Sequence, residues 1–357
     1  MLTSHLPGPS SGENTVSPSP SMKILKICGN SYGFFSAFLG VLDNLIWCER
    51  NGAIPVVEFD ERTCYWVDGG YHGSINPWEY YFEPIRAASG EGAEVVECFN
   101  AELAKEIAHS FGYRDTKGFL GNLTAVVSPA IRRSAHQTIL KYVAVKETIA
   151  HKMREFQETH FKESMLGVHL RGARQFHHTF LPDNPPLEWY KFAIQQFVKD
   201  CGLVDYGIFV ASDSWEALRY IEQSFPNVVY RDCFRMENYY ARGNRRVEEV
   251  HGPNRDNMAV LGEEVLIDCL LLSQCNALFH HESNVAIAAA YFNPELETIH
   301  VEQHAPTDFI THIKLLRWRL HPIINLPKNL FNQFVDLTYP ARLSLGLTRS
   351  SWRSMGS

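Results

Sequence analysis

The run GEEVLIDCLLLSQCNALFHHESNVAIAAAYF, residues 262–292, carries the strongest fold signal in the chain. Its first part, GEEVLIDCLLLSQC, is long and apolar enough for a buried helix, and ALFHH has the length of a short strand. VAIAAAYF then indicates a second helix, and ETIHVE a further strand. Apolar strands that alternate with helices in this way predict a parallel sheet covered on both faces.

The same alternation continues upstream of this run. MLGVHLR (165–171), YGIFVAS (206–212) and NVVYRD (227–232) have the composition of strands, and amphipathic helical patterns separate them. Closer to the N-terminus, the strands KILKICG and IPVVEF flank a helical pattern over residues 32–51, which makes a parallel βαβ unit. We therefore predict an α/β protein with a parallel βαβ unit in its first half and a second α/β series after it.

Composition divides the chain into four segments. Residues 1–22 are rich in Ser, Pro and Gly and are predicted to be a disordered tail. Residues 23–160 are assigned to an N-terminal domain and residues 161–305 to a C-terminal, ligand-binding domain. Residues 306–357 contain FITHIKLLRWRL and are predicted to be a helical extension and tail.

Bulk properties exclude several classes of function. The net charge of -7 argues against a general nucleic-acid binder, since phosphate backbones select basic surfaces. The eight cysteines form no CxxC pair and lie mostly in apolar runs, which indicates buried free thiols in a reducing compartment. We find no signal peptide and no transmembrane run, and so expect a soluble, cytoplasmic protein.

Candidate ligand-binding residues lie where strands end, because open α/β sheets bind ligands beyond the carboxyl ends of their strands. His169 and Arg171 alternate at the end of MLGVHLR and therefore share one side of that strand. A guanidinium at this place suits a phosphate, which accepts two parallel hydrogen bonds from it. A structural salt bridge and a core histidine are the alternative interpretation.

Three further polar positions fit the same edge. Ser283 and Asn284 stand at the start of VAIAAAYF, where they cap a helix and leave first-turn amides that suit an anion. Asp268 sits in an apolar helix and needs a partner: a backbone amide, Arg171, or the ribose and base of a ligand. Asp213 ends YGIFVAS and either forms a capping box with Glu216 or contacts a nucleoside.

Motifs for other chemistry are missing from the sequence. It contains no G-x-G-x-x-G, no Walker loop and no G-x-S-x-G, and we predict no catalytic metal and no cofactor. Asp60, which follows IPVVEF, and His177, in the segment after Arg171, are candidates for a general base.

The motifs also occur in a familiar order: HLR, then ASD, then D-x-x-x-L-S-Q, then S-N before a small-residue helix. This series resembles the fucosyltransferase superfamily that includes the rhizobial, the core α-1,6- and the protein O-fucosyltransferases. The resemblance implies a GT-B fold, with two Rossmann-like domains facing across a cleft. It also implies an inverting, metal-independent glycosyltransferase that moves fucose from GDP-fucose to a glycan acceptor.

The resemblance further implies roles for single residues. Arg171, with His169 beside it, matches the arginine that binds the donor β-phosphate. Asp213 and Asp268 match nucleoside contacts, and the segment Ser283, Asn284 and Val285 matches the surroundings of the pyrophosphate. The run HLRGAR departs from the superfamily's H-x-R-R-x-D. That departure leaves open a xylosyl or rhamnosyl nucleotide as donor, or a protein that binds nucleotide sugars without catalysis.

Overall fold

The computed structural model describes most of both predicted domains. The described residues are 23–29, 31–86, 94–98, 127–171, 185–235, 258–281 and 283–301. The predicted N-terminal tail (1–22), the predicted C-terminal extension (306–357) and the candidate base His177 lie outside these ranges. Those three predictions therefore stay untested.

The N-terminal half contains a three-stranded parallel sheet in the order β2-β1-β3. Its elements are β1 (Lys23–Cys28), α1 (Phe34–Asn51), β2 (Ile54–Glu58), a short 3-10 helix (Pro77–Tyr80), β3 (Glu94–Cys98), α2 (Pro129–Tyr142) and α3 (Glu147–His160). The predicted βαβ unit is confirmed. Its helix ends at Gly52, whose φ of 63° lies in the left-handed region that a glycine adopts without strain.

The C-terminal half contains a five-stranded parallel sheet in the order β6-β5-β4-β7-β8. Its elements are β4 (Met165–Leu170), α4 (Leu187–Asp200), β5 (Gly207–Ser212), α5 (Trp215–Ser224), β6 (Val228–Val229), α6 (Met258–Ser273), β7 (Ala277–His280), α7 (Asn284–Phe292) and β8 (Glu297–His300). The predicted α/β class is therefore confirmed. NVVYRD gives only two strand residues, Val228 and Val229, which pair with β5.

The direction in which the sheet is built reverses between β4 and β7. From β4 the chain adds β5 and β6 on one side, and it then returns through α6 to add β7 and β8 on the other side. In a parallel sheet such a reversal separates the connections that leave the two central strands, and a crevice forms at their carboxyl ends. We call this place the switch point; it comprises residues 169–171, 280–281 and 283–285.

Helices cover both faces of the second sheet, as predicted. Side chains of α4 and α5 form one core with the sheet, and those of α6 and α7 belong to the other. The latter core continues into the first half of the chain, where it includes Phe38 and Leu42 of α1. The two halves thus share buried apolar surface, and the predicted division into domains stays a prediction.

Candidate functional site

His169 and Arg171 reach the switch point from β4, as the sequence predicts. Val168 and Leu170 belong to the core on the α4/α5 side, so the alternation of the strand turns His169 towards α6 and α7. His169 is 8% exposed, and Arg171 follows β4 directly with a half-buried side chain. Burial, followed by the charge of Arg171, lowers the pKa of His169 to about 3. The imidazole is therefore neutral at physiological pH and close to the guanidinium.

The N-terminus of α7 reaches the same switch point from β7. β7 is the hydrogen-bonded neighbour of β4, with Phe279 opposite Val168. The Ser283 hydroxyl accepts a hydrogen bond from the backbone amide of Val285 at 3.1 Å, which confirms the predicted cap. Beside it, the Asn284 Oδ1 atom is buried without a hydrogen-bond partner. The predicted phosphate residues of β4 and α7 thus follow adjacent strands at one edge of the sheet.

Histidines from neighbouring strands form a buried row behind this edge. His280 lies opposite His300 in the β7–β8 register, with ring centroids 5.6 Å apart, and the ring of His281 lies 5.2 Å from His300. The His280 Nδ1 atom is 2.9 Å from the His281 carbonyl oxygen, whereas its Nε2 atom is buried without a partner. Burial lowers the pKa of His280 to about 4. His169 and His280 therefore resist protonation in the folded protein.

This resistance predicts a fold that loses stability in mild acid. The folded pKa values of His169 and His280, about 3 and about 4, lie below the unfolded value, so only the unfolded chain gains protons as the pH falls. The contribution of the two histidines to stability is complete above pH ~7 and is lost progressively down to pH ~3; between pH 7 and 5 the loss is about 4 kcal/mol for both residues together. Urea unfolding at both pH values measures it.

A double variant isolates this histidine contribution. The double variant His169→Gln, His280→Gln should show a weaker dependence of the free energy of unfolding on pH, whatever its absolute stability. Asp268 and Glu264, whose pKa values burial raises, act in the opposite direction and remain in both proteins. An unchanged slope in the double variant would show that the buried row does not govern acid sensitivity.

Asp213 follows β5 directly, but it does not cap the next helix. The cap of α5 is Ser214, whose hydroxyl accepts from the amide of Ala217 at 3.3 Å and contacts Glu216 Oε2 at 2.8 Å. The predicted capping box is therefore wrong by one residue, because a serine next to the aspartate performs the same task. The nucleoside contact of Asp213 stays a prediction.

The partner of Asp268 is an arginine that the sequence analysis did not consider. Arg231, just beyond β6, places Nη1 3.2 Å from Asp268 Oδ1 and 3.0 Å from the Glu264 carbonyl oxygen. Burial raises the pKa of Asp268, and the positive charge of Arg231 opposes that shift. The ion pair meets the need for a partner, so a nucleoside is not required to explain this carboxylate, and its contact with a nucleoside stays a prediction.

Asp60 is an exposed carboxylate that forms a local ion pair. Its Oδ1 atom accepts hydrogen bonds from Arg62, at 2.8 Å from Nε and 3.0 Å from the backbone amide. The side-chain hydrogen bond from Arg62 lowers the pKa of Asp60. A carboxylate held in this way is a poorer proton acceptor, so the ion pair weakens the case for Asp60 as a base.

A buried polar cluster joins the two halves of the chain, and the sequence analysis missed it. Glu263 of α6, with its side chain 6% exposed, accepts hydrogen bonds from Tyr71 Oη at 2.8 Å and from Lys152 Nζ, and lies 2.7 Å from His72 Nε2. Burial alone would raise the pKa of Glu263, but the bonds from Lys152, His72 and Tyr71 together lower it. The run GGYHG was the available signal: its glycines and His72 all have positive φ, which makes a tight turn.

Two further observations concern the described residues as a set. Within the described ranges, no group of three or more His, Cys, Asp or Glu side chains is arranged to hold a metal ion. In the same part of the chain, no helix combines the length and the apolar character needed to cross a bilayer.

Comparisons with known proteins give matches among solved structures only. No family model and no curated protein matches the chain. It is similar to NodZ α-1,6-fucosyltransferase soaked with GDP-fucose, at 15% identity and a TM-score of 0.47, over 77% of this chain and 94% of that one. It is also similar to POFUT1 in complex with GDP-fucose, at 10% identity and a TM-score of 0.43, over 79% of this chain and 98% of that one.

Proposed function

We propose that the chain is a GT-B glycosyltransferase that binds a nucleoside diphosphate sugar at the switch point. The donor is GDP-fucose, the acceptor is a glycan, and transfer inverts the anomeric centre without a metal ion. The observation that carries the proposal is the reversal of strand order between β4 and β7. It brings Arg171 and the N-terminus of α7 to the same edge, where α/β sheets bind nucleotides.

The chemistry of these groups suits a leaving diphosphate. Sugar transfer passes through an oxocarbenium-like state while negative charge grows on the departing phosphate. The Arg171 guanidinium donates parallel hydrogen bonds to phosphate oxygens, and the first-turn amides of α7 point along a favourable helix dipole. Donors fixed before the reaction stabilise this charge without reorganisation. Neutral His169 adds a hydrogen-bonding group beside Arg171 without a second positive charge.

The acceptor hydroxyl must also lose a proton. Asp60 and His177 remain our candidates for the base that accepts it. Asp60 would first have to leave Arg62, whose hydrogen bond lowers the pKa of Asp60. The rate of sugar transfer by Asp60→Asn should therefore be measured as a function of pH and compared with that of the wild type.

Thermal shift with nucleotides tests the donor assignment directly. A ligand that binds only the folded state stabilises it by about 2.7 kcal/mol at one hundred times its Kd. GDP and GDP-fucose are therefore expected to raise Tm, whereas UDP and ADP are expected to have a smaller effect. If UDP-xylose or a rhamnosyl nucleotide raised Tm more, the fold assignment would stand and the fucosyl donor would be wrong.

Product analysis then separates an enzyme from a binding protein. Incubation with GDP-fucose and a panel of glycans is expected to release GDP and to give a fucosylated glycan of inverted anomeric configuration by NMR. Binding without donor hydrolysis or transfer would identify a non-catalytic nucleotide-sugar binder. If no nucleoside diphosphate changed Tm, the proposal as a whole would fail.

A further inference from the structure

Arg235 carries a buried guanidinium in which one nitrogen of three donates a hydrogen bond to the described residues. The residue follows β6 and is 5% exposed. Its guanidinium carbon lies over the rings of Trp215 and Tyr230, 5.2 Å and 5.3 Å from their centroids, and Nη1 donates to the Cys233 carbonyl oxygen at 3.2 Å. The Nε and Nη2 atoms are buried and have no hydrogen-bond partner among the residues that the structure describes.

These two unpartnered atoms form one functional unit. The Nε–H and Nη2–H bonds of an arginine are nearly parallel and bind two neighbouring acceptors at once. The same edge of Arg86 binds the buried Glu79 carboxylate, with Nε and Nη2 3.1 Å and 2.7 Å from Oε1. Burying a charged group whose donors have no acceptor costs free energy. The two unpartnered N–H donors of Arg235 therefore point to a ligand with two adjacent acceptors.

Each of the two acids near Arg235 has one carboxylate oxygen bonded to another group. Asp268 is bonded to Arg231, and Glu264 accepts from the backbone amide of Phe234 at 3.2 Å. Burial raises the pKa of both carboxylates, so the surroundings already disfavour negative charge. A further anion here would be repelled by these groups. A neutral ring with an acceptor edge for Arg235 and donors for a carboxylate fits better.

We propose that the Nε/Nη2 edge of Arg235 recognises the O6 and N7 atoms of a guanine base. This inference rests on the proposed function and assigns the residue that selects the donor's base. Guanine presents two adjacent acceptors, whereas adenine places a donor at N6 and cytosine one at N4. The N1–H and N2–H groups of guanine are donors that a neighbouring carboxylate, Asp268 or Glu264, can accept.

The location agrees with this role. Trp215 begins α5 directly after the β5 end that carries Asp213, and Arg235 follows β6, the next strand outward from the switch point. A nucleotide with its diphosphate at β4 and α7 would extend its base towards these strands. Both nitrogens are shielded from water, so the base reaches them when Arg235 or an aromatic neighbour moves. Trp215 fluorescence should therefore change on binding.

Nucleotide analogues test the proposal on the wild-type protein. Calorimetry measures the affinity of the protein for GDP, 7-deaza-GDP and ADP. 7-Deaza-GDP lacks the N7 acceptor of guanine, and ADP has a donor in place of the O6 acceptor. The expected preference for GDP is about 10- to 100-fold over ADP, with a smaller preference over 7-deaza-GDP. Equal affinity for GDP and 7-deaza-GDP would overturn the assignment. A wild-type protein that bound no nucleoside diphosphate would instead overturn the proposed function.

A lysine variant then assigns the preference to this side chain. Arg235→Lys keeps the charge but removes the parallel pair of donors, so the GDP/ADP ratio is expected to fall about tenfold or more. Arg219→Lys is the matched control, because Arg219 lies over the same Trp215 ring at 5.6 Å yet is exposed; its ratio should stay as in wild type. An unchanged ratio in folded Arg235→Lys would show that another residue selects the base.

Discussion

Arg171→Ala is expected to fold normally and to lose sugar transfer by a hundredfold or more. The side chain is only half-buried and follows β4, so its removal opens no core cavity. Loss of one preorganised donor to a developing negative charge costs about 3–4 kcal/mol of transition-state stabilisation. Steady-state transfer from GDP-fucose, measured at saturating donor, gives this number directly.

Two further variants make the Arg171 result specific. Arg171→Lys keeps the positive charge without the planar fork and should recover part of the rate. Arg154→Ala removes an exposed arginine of α3 that pairs with Glu147, and its rate should equal that of wild type. Because the charge of Arg171 contributes to the low pKa of His169, the assays are run at or above pH 7. A folded Arg171→Ala protein that kept more than half the wild-type rate would remove Arg171 from the mechanism.

Local pattern was sufficient to predict the α/β class. Each strand of the second sheet is a short apolar run, and each helix has its own amphipathic or apolar signal, so neighbouring residues alone indicate the element. The sequence also indicated that Ser283 caps a helix, because a cap depends on residues within one turn. The same local reasoning chose Asp213 over Ser214 for α5, since both residues are good caps and only geometry separates them.

Contacts between distant segments could not be predicted in this way. Asp268 clearly needed a partner, but nothing in its neighbourhood of the sequence indicated Arg231, which reaches it from the end of β6. Arg235 lies in an arginine-rich stretch of the sequence, and only its burial between two aromatic rings distinguishes it. Such residues become recognisable when the fold shows which hydrogen-bonding atoms have partners.

The Glu263 cluster is the clearest of these long-range contacts, and it leads to the second large prediction. Glu263→Ala is expected to lower the free energy of unfolding by about 3 kcal/mol, the lower end of the range for breaking a buried ion pair. Lys152 is half-exposed and can turn to water, which reduces the cost. Tyr71 is more buried and would lose the acceptor of its hydroxyl, which adds to the cost of the substitution. Equilibrium denaturation followed by circular dichroism measures the change.

Controls separate this contribution from the loss of a charge on any helix. Glu147→Ala removes a glutamate whose side chain is 79% exposed and which pairs with Arg154, so its effect should stay within about 0.5 kcal/mol. Lys152→Ala should cost less than Glu263→Ala, because the carboxylate keeps Tyr71 and His72. The cluster joins a tight turn of the first half to α6 of the second half. Its loss therefore also removes hydrogen bonds and ion pairs between the two halves. If Glu263→Ala were as stable as Glu147→Ala, the Glu263 cluster would contribute no measurable stability to the contact between the halves.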